Sequence, residues 1–286
     1  MIAGAGYVGA RLGRTLAARG DEVFALRRSI AGLPRGVRAV AADLLDRSAL
    51  SALPGRWDAV VFCAGPGEST PAAYRRTYLE ALGTVLDVLS EKSARVVFTS
   101  STAVYAQSDG SWVDETSPAE ASHFSGAIVL EAEALLRARR PDAVSLRLGG
   151  IYGPGRASLV AAVRRGEATI TETDRRYVNR FHVDDCAGAL AHVIGLSAPQ
   201  ALYLGVDDEP ASRRDVLFWL SDRLGAPAPG EAPGPDERAR RGGGNKRCSN
   251  ARLKSSGYAL SFSTFREGYA AVIDAGLSGR DGSPTT

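Results

Sequence analysis

Gly4, Gly6 and Gly9 form a Gly-x-Gly-x-x-Gly turn within Ile2-Ala3-Gly4-Ala5-Gly6-Tyr7-Val8-Gly9, between a short apolar run and a segment of helical period. That spacing suits a dinucleotide. The first glycine permits the tight turn, the second lets a pyrophosphate approach the backbone, and the third lets helix and strand pack closely. Tyr7 and Val8 open the helix, whose first N–H groups lack partners within it and favour an anion. Val8, Leu12 and Leu16 share one face of that helix, which stops at Gly20. The next apolar run, Glu22 to Leu26, ends in Arg27-Arg28-Ser29 and not in an acid. An acid there would bond the ribose hydroxyls of NAD, whereas paired guanidinium groups clamp a 2′-phosphate. NADP is therefore the expected cofactor, with NAD the alternative.

Other side chains with chemical potential are sparse. His182 with Asp184 and Asp185 invites a proton-transfer reading, since imidazole suits transfer at neutral pH. His123, His182 and His192 lack metal-ligand spacing, so no metal is expected. No Gly-x-Ser-x-Gly elbow points to a hydrolase. Asn179-Arg180 and Asn245-Lys246-Arg247 read either as a clamp for a substrate phosphate or carboxylate, or as solvated surface.

These residues need a scaffold, and the chain has the length and composition for one. Its 286 residues are 44% hydrophobic and 23% charged, ordinary for a globular protein. A net charge of +3 is too small to argue for nucleic acid. No run approaches ~18 apolar residues, and no basic-then-apolar leader opens the chain, so neither a membrane span nor a signal peptide is expected. Three cysteines, Cys63, Cys186 and Cys248, are odd in number and fit a reducing cytoplasm. A small-molecule substrate and a monomer or homodimer are the expected partners.

Apolar runs alternate with helical patterns, which predicts an α/β fold with a doubly wound parallel sheet (Rossmann) and a smaller C-terminal substrate lobe. Strands are expected at 37–41, 59–64, 95–100, 143–148 and 201–204, and helices over 72–90, 127–139, 187–196 and near 269–273. Residues 1–150 read as the dinucleotide-binding domain, to which 183–206 return; the rest of 151–286 reads as the smaller lobe. Within it, 226–244 are rich in Pro, Gly, Glu and Arg and predict a mobile loop, and the tail from 279 should fray. Only three residues precede the fingerprint, fewer than the ~5–6 of a typical strand. The first strand is therefore short, or the chain starts a few residues late.

Together these segments resemble the extended short-chain dehydrogenase/reductase superfamily of the epimerase/dehydratase type. Asp43-Leu44 resembles its adenine-contacting pair, and Cys63-Ala64-Gly65 the turn beneath the cofactor. Ser100-Ser101-Thr102-Ala103-Val104-Tyr105 matches its Ser-Ser-x-x-Val-Tyr run. Arg147 to Gly155, with Gly150 and Tyr152, matches the segment that closes over the nicotinamide, and Phe181 to Asp185 its His-Val-x-Asp stretch, which mainly ties the lobes together. The resemblance implies that Ser101 bonds the substrate oxygen, with Thr102 beside it.

One departure stands out. The superfamily normally carries Tyr-x-x-x-Lys, whose lysine lowers the tyrosine pKa from near ~10. Here none of Lys92, Lys246 and Lys254 follows a tyrosine by four residues. Aligning the helix 122–133 puts Ser125 at the tyrosine position and Val129 at the lysine position. Ser101, Tyr105 and Ser125 are then the candidate catalytic residues. Each has a bland alternative: a strand-end hydroxyl satisfying its own backbone, a half-buried aromatic, a helix cap. Tyr152 reads as structural or as a cofactor contact. The expected function is an atypical NADP-dependent oxidoreductase or epimerase acting on a polar small molecule. The alternative is a non-catalytic NADP(H)-binding redox sensor.

Overall fold

The computed structural model describes residues 1–54, 56–89, 95–232 and 244–278. Seven strands make one parallel sheet: β1 (Ile2–Ala3), β2 (Phe24–Arg27), β3 (Arg38–Ala41), β4 (Ala59–Phe62), β5 (Arg95–Ser101), β6 (Val144–Leu148) and β7 (Leu202–Gly205). Their spatial order is β3-β2-β1-β4-β5-β6-β7. The chain leaves β1 toward β2 and later returns on its other side as β4, so the strand order reverses beside β1. Ligands of doubly wound sheets bind at that reversal, outside the carboxyl ends of the strands.

The central strands are buried on both faces because their residues alternate between two cores, while the edge strand β3 is largely exposed. Val60, Phe62 and Phe98 pack with Val129, Ala132 and Leu136 of helix α2 (Phe124–Arg139). Ile2, Val61, Val97 and Leu146 pack with Leu12 of α1 (Tyr7–Ala18) and Leu190 of α3 (Val183–Gly195). A third cluster, including Val160, Leu217, Phe265 and Ile273, joins helices Ser158–Arg164, Arg213–Leu224 and Phe265–Ser278. It is built from 152 onward, apart from the α3–β7 stretch that rejoins the main sheet.

Differences from the sequence reading are local. The helix expected over 72–90 is three pieces. Thr70 caps Pro71–Arg75 by accepting from the Ala73 N–H at 3.2 Å, a π-helical turn follows at Arg76–Ala81, and α-helix resumes at Leu82–Val88. Helix α2 starts at Phe124, three residues early, because the His123 ring caps it. Within the stretch expected to be a loop, Gly230–Glu231 pairs with Thr169–Ile170 as parallel strand, a correction that tertiary pairing imposed on a Pro/Gly-rich segment. The rest of that loop at 233–243, the tail from 279 and Lys92 lie outside the described residues. Among the described residues no helix is long and apolar enough to cross a membrane.

Candidate active site

A cleft of about 740 Å³ opens at the strand-order reversal. Gly4, Gly6, Arg27, Arg28, Asp43, Leu44, Ala64 and Gly65 line it. The chain's own packing requires glycine at two of the three fingerprint positions and leaves space at the third. Gly4 sits at φ +91°, and a Cβ there would lie 2.5 Å from the Ala64 backbone. A Cβ on Gly9 would lie 2.8 Å from the Gly4 carbonyl. Around Gly6 nothing lies within 4 Å of such a carbon, and no side chain caps the α1 N-terminus. Open space in front of uncapped N–H groups fits the pyrophosphate of a dinucleotide. Tyr7 donates its hydroxyl to the Pro154 carbonyl at 3.0 Å, pinning the 152–156 turn over α1. Val8 turns into the core.

At the far end, Arg27, Arg28 and Ser29 form the wall beside Asp43. One oxygen of Asp43 accepts from the Leu45 N–H at 3.0 Å, which fixes the turn after β3. Arg76 and Thr77 of the π-helical turn complete the rim. Irregular helix at a ligand cleft is a recurrent use of π turns. The Cys63 thiol, pushed up to about 12 by burial, is no nucleophile.

Beyond β5 the candidate catalytic residues separate. Ser101 is part-exposed at the strand's end, where its Oγ accepts from the Ala103 N–H at 3.1 Å. Accepting leaves its own proton available to a ligand. Thr102 is buried in the turn. Tyr105 does not reach the cleft. Its hydroxyl is buried, donates to the Asp114 carbonyl at 2.7 Å and accepts from Arg147 Nη1 at 2.8 Å. Burial pushes that phenol up to about 12. Tyr105 therefore belongs to an internal network, which corrects its assignment as a proton donor. Arg147 on β6 also grips Glu133 on α2 at 2.9 and 2.7 Å, and Ser100 donates to Glu133 at 2.6 Å.

Ser125 lies in the first turn of α2, its Oγ 2.9 Å from His123 Nδ1. The same ring nitrogen is 3.4 Å from the Ser125 N–H, so the cap is the longer of the two contacts.

The basic segments turn inward as well. Asn179 donates to the Lys246 carbonyl at 3.1 Å and accepts from the Cys248 N–H at 2.7 Å. Buried Arg180 donates to the carbonyls of Val178 and Ala211 at 3.1 and 2.8 Å. Both are structural, a correction to their reading as substrate ligands: backbone carbonyls and N–H groups buried with them need partners. Lys246 is buried and donates to the Tyr105 carbonyl at 2.8 Å, and burial lowers its pKa. Arg247 donates to the Gly110 carbonyl at 2.8 Å with its guanidinium over Trp112 and Tyr177. Gly150 is tied to the Asn179 carbonyl at 2.8 Å. Tyr152 is buried between Tyr269 and His182, away from the cleft, which corrects its place among cofactor contacts.

His182 caps α3 through Nδ1, and Asp185 accepts from the Ser261 and Phe262 N–H groups at 2.7 and 3.0 Å. That stretch ties the C-terminal segment to α3. Among the described residues, the Tyr152 hydroxyl, His182 Nε2 and both Asp207 oxygens are buried without hydrogen-bond partners. Burial pushes the Asp207 carboxyl up to about 8, against the pull of Arg180.

The family model for the NAD dependent epimerase/dehydratase family matches residues 1–202, which hold the cleft and the whole central sheet up to the start of β7. The chain belongs to this family. Among similar proteins, a 3-diazoavenalumate denitrifying reductase of Streptomyces is 30% identical, covering 82% of this chain and 84% of its own. Protein YeeZ of Escherichia coli K12 is 32% identical, covering 78% and 82%. A solved structure described as an NAD-dependent epimerase/dehydratase from Methylobacillus flagellatus is 37% identical, with a TM-score of 0.80, covering 96% and 97%.

Sequence reasoning about this epimerase/dehydratase-family chain missed Glu133, Arg147 and the His123–Ser125 contact. A glutamate among Val129, Ala132 and Leu136 and an arginine in an apolar strand were legible signals, since buried charges must pair. Nothing in Ser122-His123-Phe124-Ser125 said that the ring would fold back onto the serine.

Proposed function

We propose that the chain is an NADP-dependent reductase of a small polar molecule. The observation that carries this reading is the cleft itself. Its phosphate end is an open glycine cradle, and its ribose end presents Arg27, Arg28 and Ser29 where an NAD enzyme would present an acid. The Streptomyces relative is a reductase, which supports the direction of reaction. When bound, the nicotinamide supplies hydride chemistry. The chain's own part is to hold the dinucleotide and to place donors at the carboxyl edge of β5. There Ser101 keeps its proton free to hydrogen-bond the reacting oxygen. The lobe after residue 152 closes the substrate side, with Tyr7 and Pro154 joining it to α1. The sensor reading draws on the burial of Tyr105 and the missing Tyr-x-x-x-Lys pair.

Calorimetric titration with NADPH and NADH, followed by NADPH consumption over a panel of small carbonyl compounds, tests the proposal. NADPH is expected to bind more tightly, and Arg27→Ala/Arg28→Ala to lose about 1.5–3 kcal/mol of that affinity. Equal affinities would remove the NADP assignment. Tight NADPH binding with no turnover on any substrate would favour the sensor.

A further inference from the structure

The start of α2 is pressed against the turn that follows β5. A Cβ on Gly126 would collide with the Ala103 carbonyl, so only glycine lets the helix approach so near. Ser125 is thereby held beside the segment that begins at Ser101, at the carboxyl edge of the sheet. The His123 ring packs tilted against Phe124 at 4.2 Å, and Phe124 meets Tyr74 edge-on at 5.4 Å. Tyr74 belongs to the short helix whose Ala72 and Ala73 line the cofactor cleft. Aromatic packing thus ties a part-exposed imidazole, through Phe124 and Tyr74, to the helix that lines the cleft. Its Nδ1 lies 2.9 Å from the Ser125 Oγ.

We infer that His123 and Ser125 form the proton-delivering pair of this enzyme, Ser125 touching the substrate oxygen and His123 acting through it. The inference rests on the reductase reading above. A lone serine hydroxyl is too weak an acid to protonate an oxygen at neutral pH, whereas an imidazole behind it can replace the proton as it leaves. Ser101 is a lone hydroxyl that accepts from the Ala103 N–H and, among the described residues, has no imidazole behind it, so it can bond the oxygen but not relay a proton. The other rivals are engaged. The Tyr105 hydroxyl is closed off by Asp114 and Arg147, Lys246 donates to the Tyr105 carbonyl, and His182 is buried against Tyr152 and Phe262.

In the reducing direction a carbonyl carbon accepts hydride from NADPH, which is oxidised, and the C=O π bond breaks. The carbonyl oxygen takes the Ser125 hydroxyl proton. The serine oxygen regains a proton from Nδ1–H of protonated His123, and the ring recovers one from solvent. The product is an alcohol. In this scheme Ser125 is the catalytic residue and His123 the positioning one.

Two measurements test the pair. In cofactor-free protein, histidine ¹⁵N NMR is expected to show a His123 Nδ1 resonance hydrogen-bonded to Ser125 and displaced in Ser125→Ala. With NADPH and a carbonyl compound that the wild type reduces, Ser125→Ala is expected to slow hydride transfer ~10²-fold. His123→Asn, which still caps the helix, is expected to slow it ~10-fold. The double variant should be no slower than Ser125→Ala, because the two act as one unit, and NADPH affinity should stay within about twofold in all three. Full turnover in His123→Asn, or a His123 resonance indifferent to Ser125→Ala, would reduce the ring to a helix cap and leave the reductase reading intact. If the wild type oxidises no NADPH with any substrate, the reductase reading falls and the pair falls with it.

Discussion

The dinucleotide crevice and the corner around Ser101, Tyr105 and Ser125 share one edge of one sheet, yet they are specified by different parts of the chain. At the pyrophosphate end of the crevice the recognising groups are backbone: uncapped N–H groups of α1, the space at Gly6 and the close approach of Gly4 to Ala64. Around the corner the recognising groups must be side chains, and most of the expected ones point elsewhere. Tyr105, Asn179, Arg180 and Tyr152 all serve the interior. Backbone recognition follows from glycine spacing and short-range geometry. Side-chain recognition depends on which neighbour, distant in sequence, needs a hydrogen-bond partner more than the cleft does.

The contrast is sharpest if the corner's polar residues are removed one at a time. Glu133→Ala is expected to have the largest effect, leaving Arg147 buried and uncompensated at about 3–5 kcal/mol in stability; chemical denaturation measures it, and a loss under 1 kcal/mol would mean the network is dispensable. Gly6→Val comes next. It should lower dinucleotide affinity at least ~100-fold, about 2.7 kcal/mol, because the added carbons occupy phosphate space. Normal binding by a folded variant, checked by circular dichroism, would make the fingerprint a mere turn.

Tyr105→Phe tests the boundary between the regions. It leaves the Asp114 carbonyl and one Arg147 donor unpaired, so a stability loss of about 1–3 kcal/mol is expected with turnover per folded molecule nearly unchanged. A large loss of turnover at wild-type stability would return the phenol to the catalytic side. The smallest expected effect concerns Asp207, whose carboxyl is pushed from 3.8 up to about 8 by burial. Between those values the unfolded chain has released this proton and the folded chain still holds it, so stability falls as pH rises from about 4 to about 8. Asp207→Asn should flatten that fall, read as a Tm that changes less between roughly pH 5 and pH 8 than the wild type's. Parallel stability–pH curves for variant and wild type would deny Asp207 the role.

The order of elements was written in the chain. Alternating apolar runs and helical periods place six of the seven sheet strands near their observed positions beside the fingerprint strand, since burial on both faces demands continuous apolar residues. The glycine turn and the arginines after β2 likewise announce the cleft, because each acts through its own backbone or within a few residues of it. What tertiary structure alone decided is the use of the polar side chains. Whether Tyr105 faces a ligand or Arg147 depends on a contact spanning 42 residues, and whether Lys246 meets a substrate or the Tyr105 carbonyl on one spanning 141. The His123–Ser125 contact spans only two residues, but it forms at the N-cap of α2, whose place beside the turn after β5 depends on Gly126 packing on Ala103. A side chain's direction is a few-kcal/mol choice among partners, and the partners exist only once the sheet has brought them together.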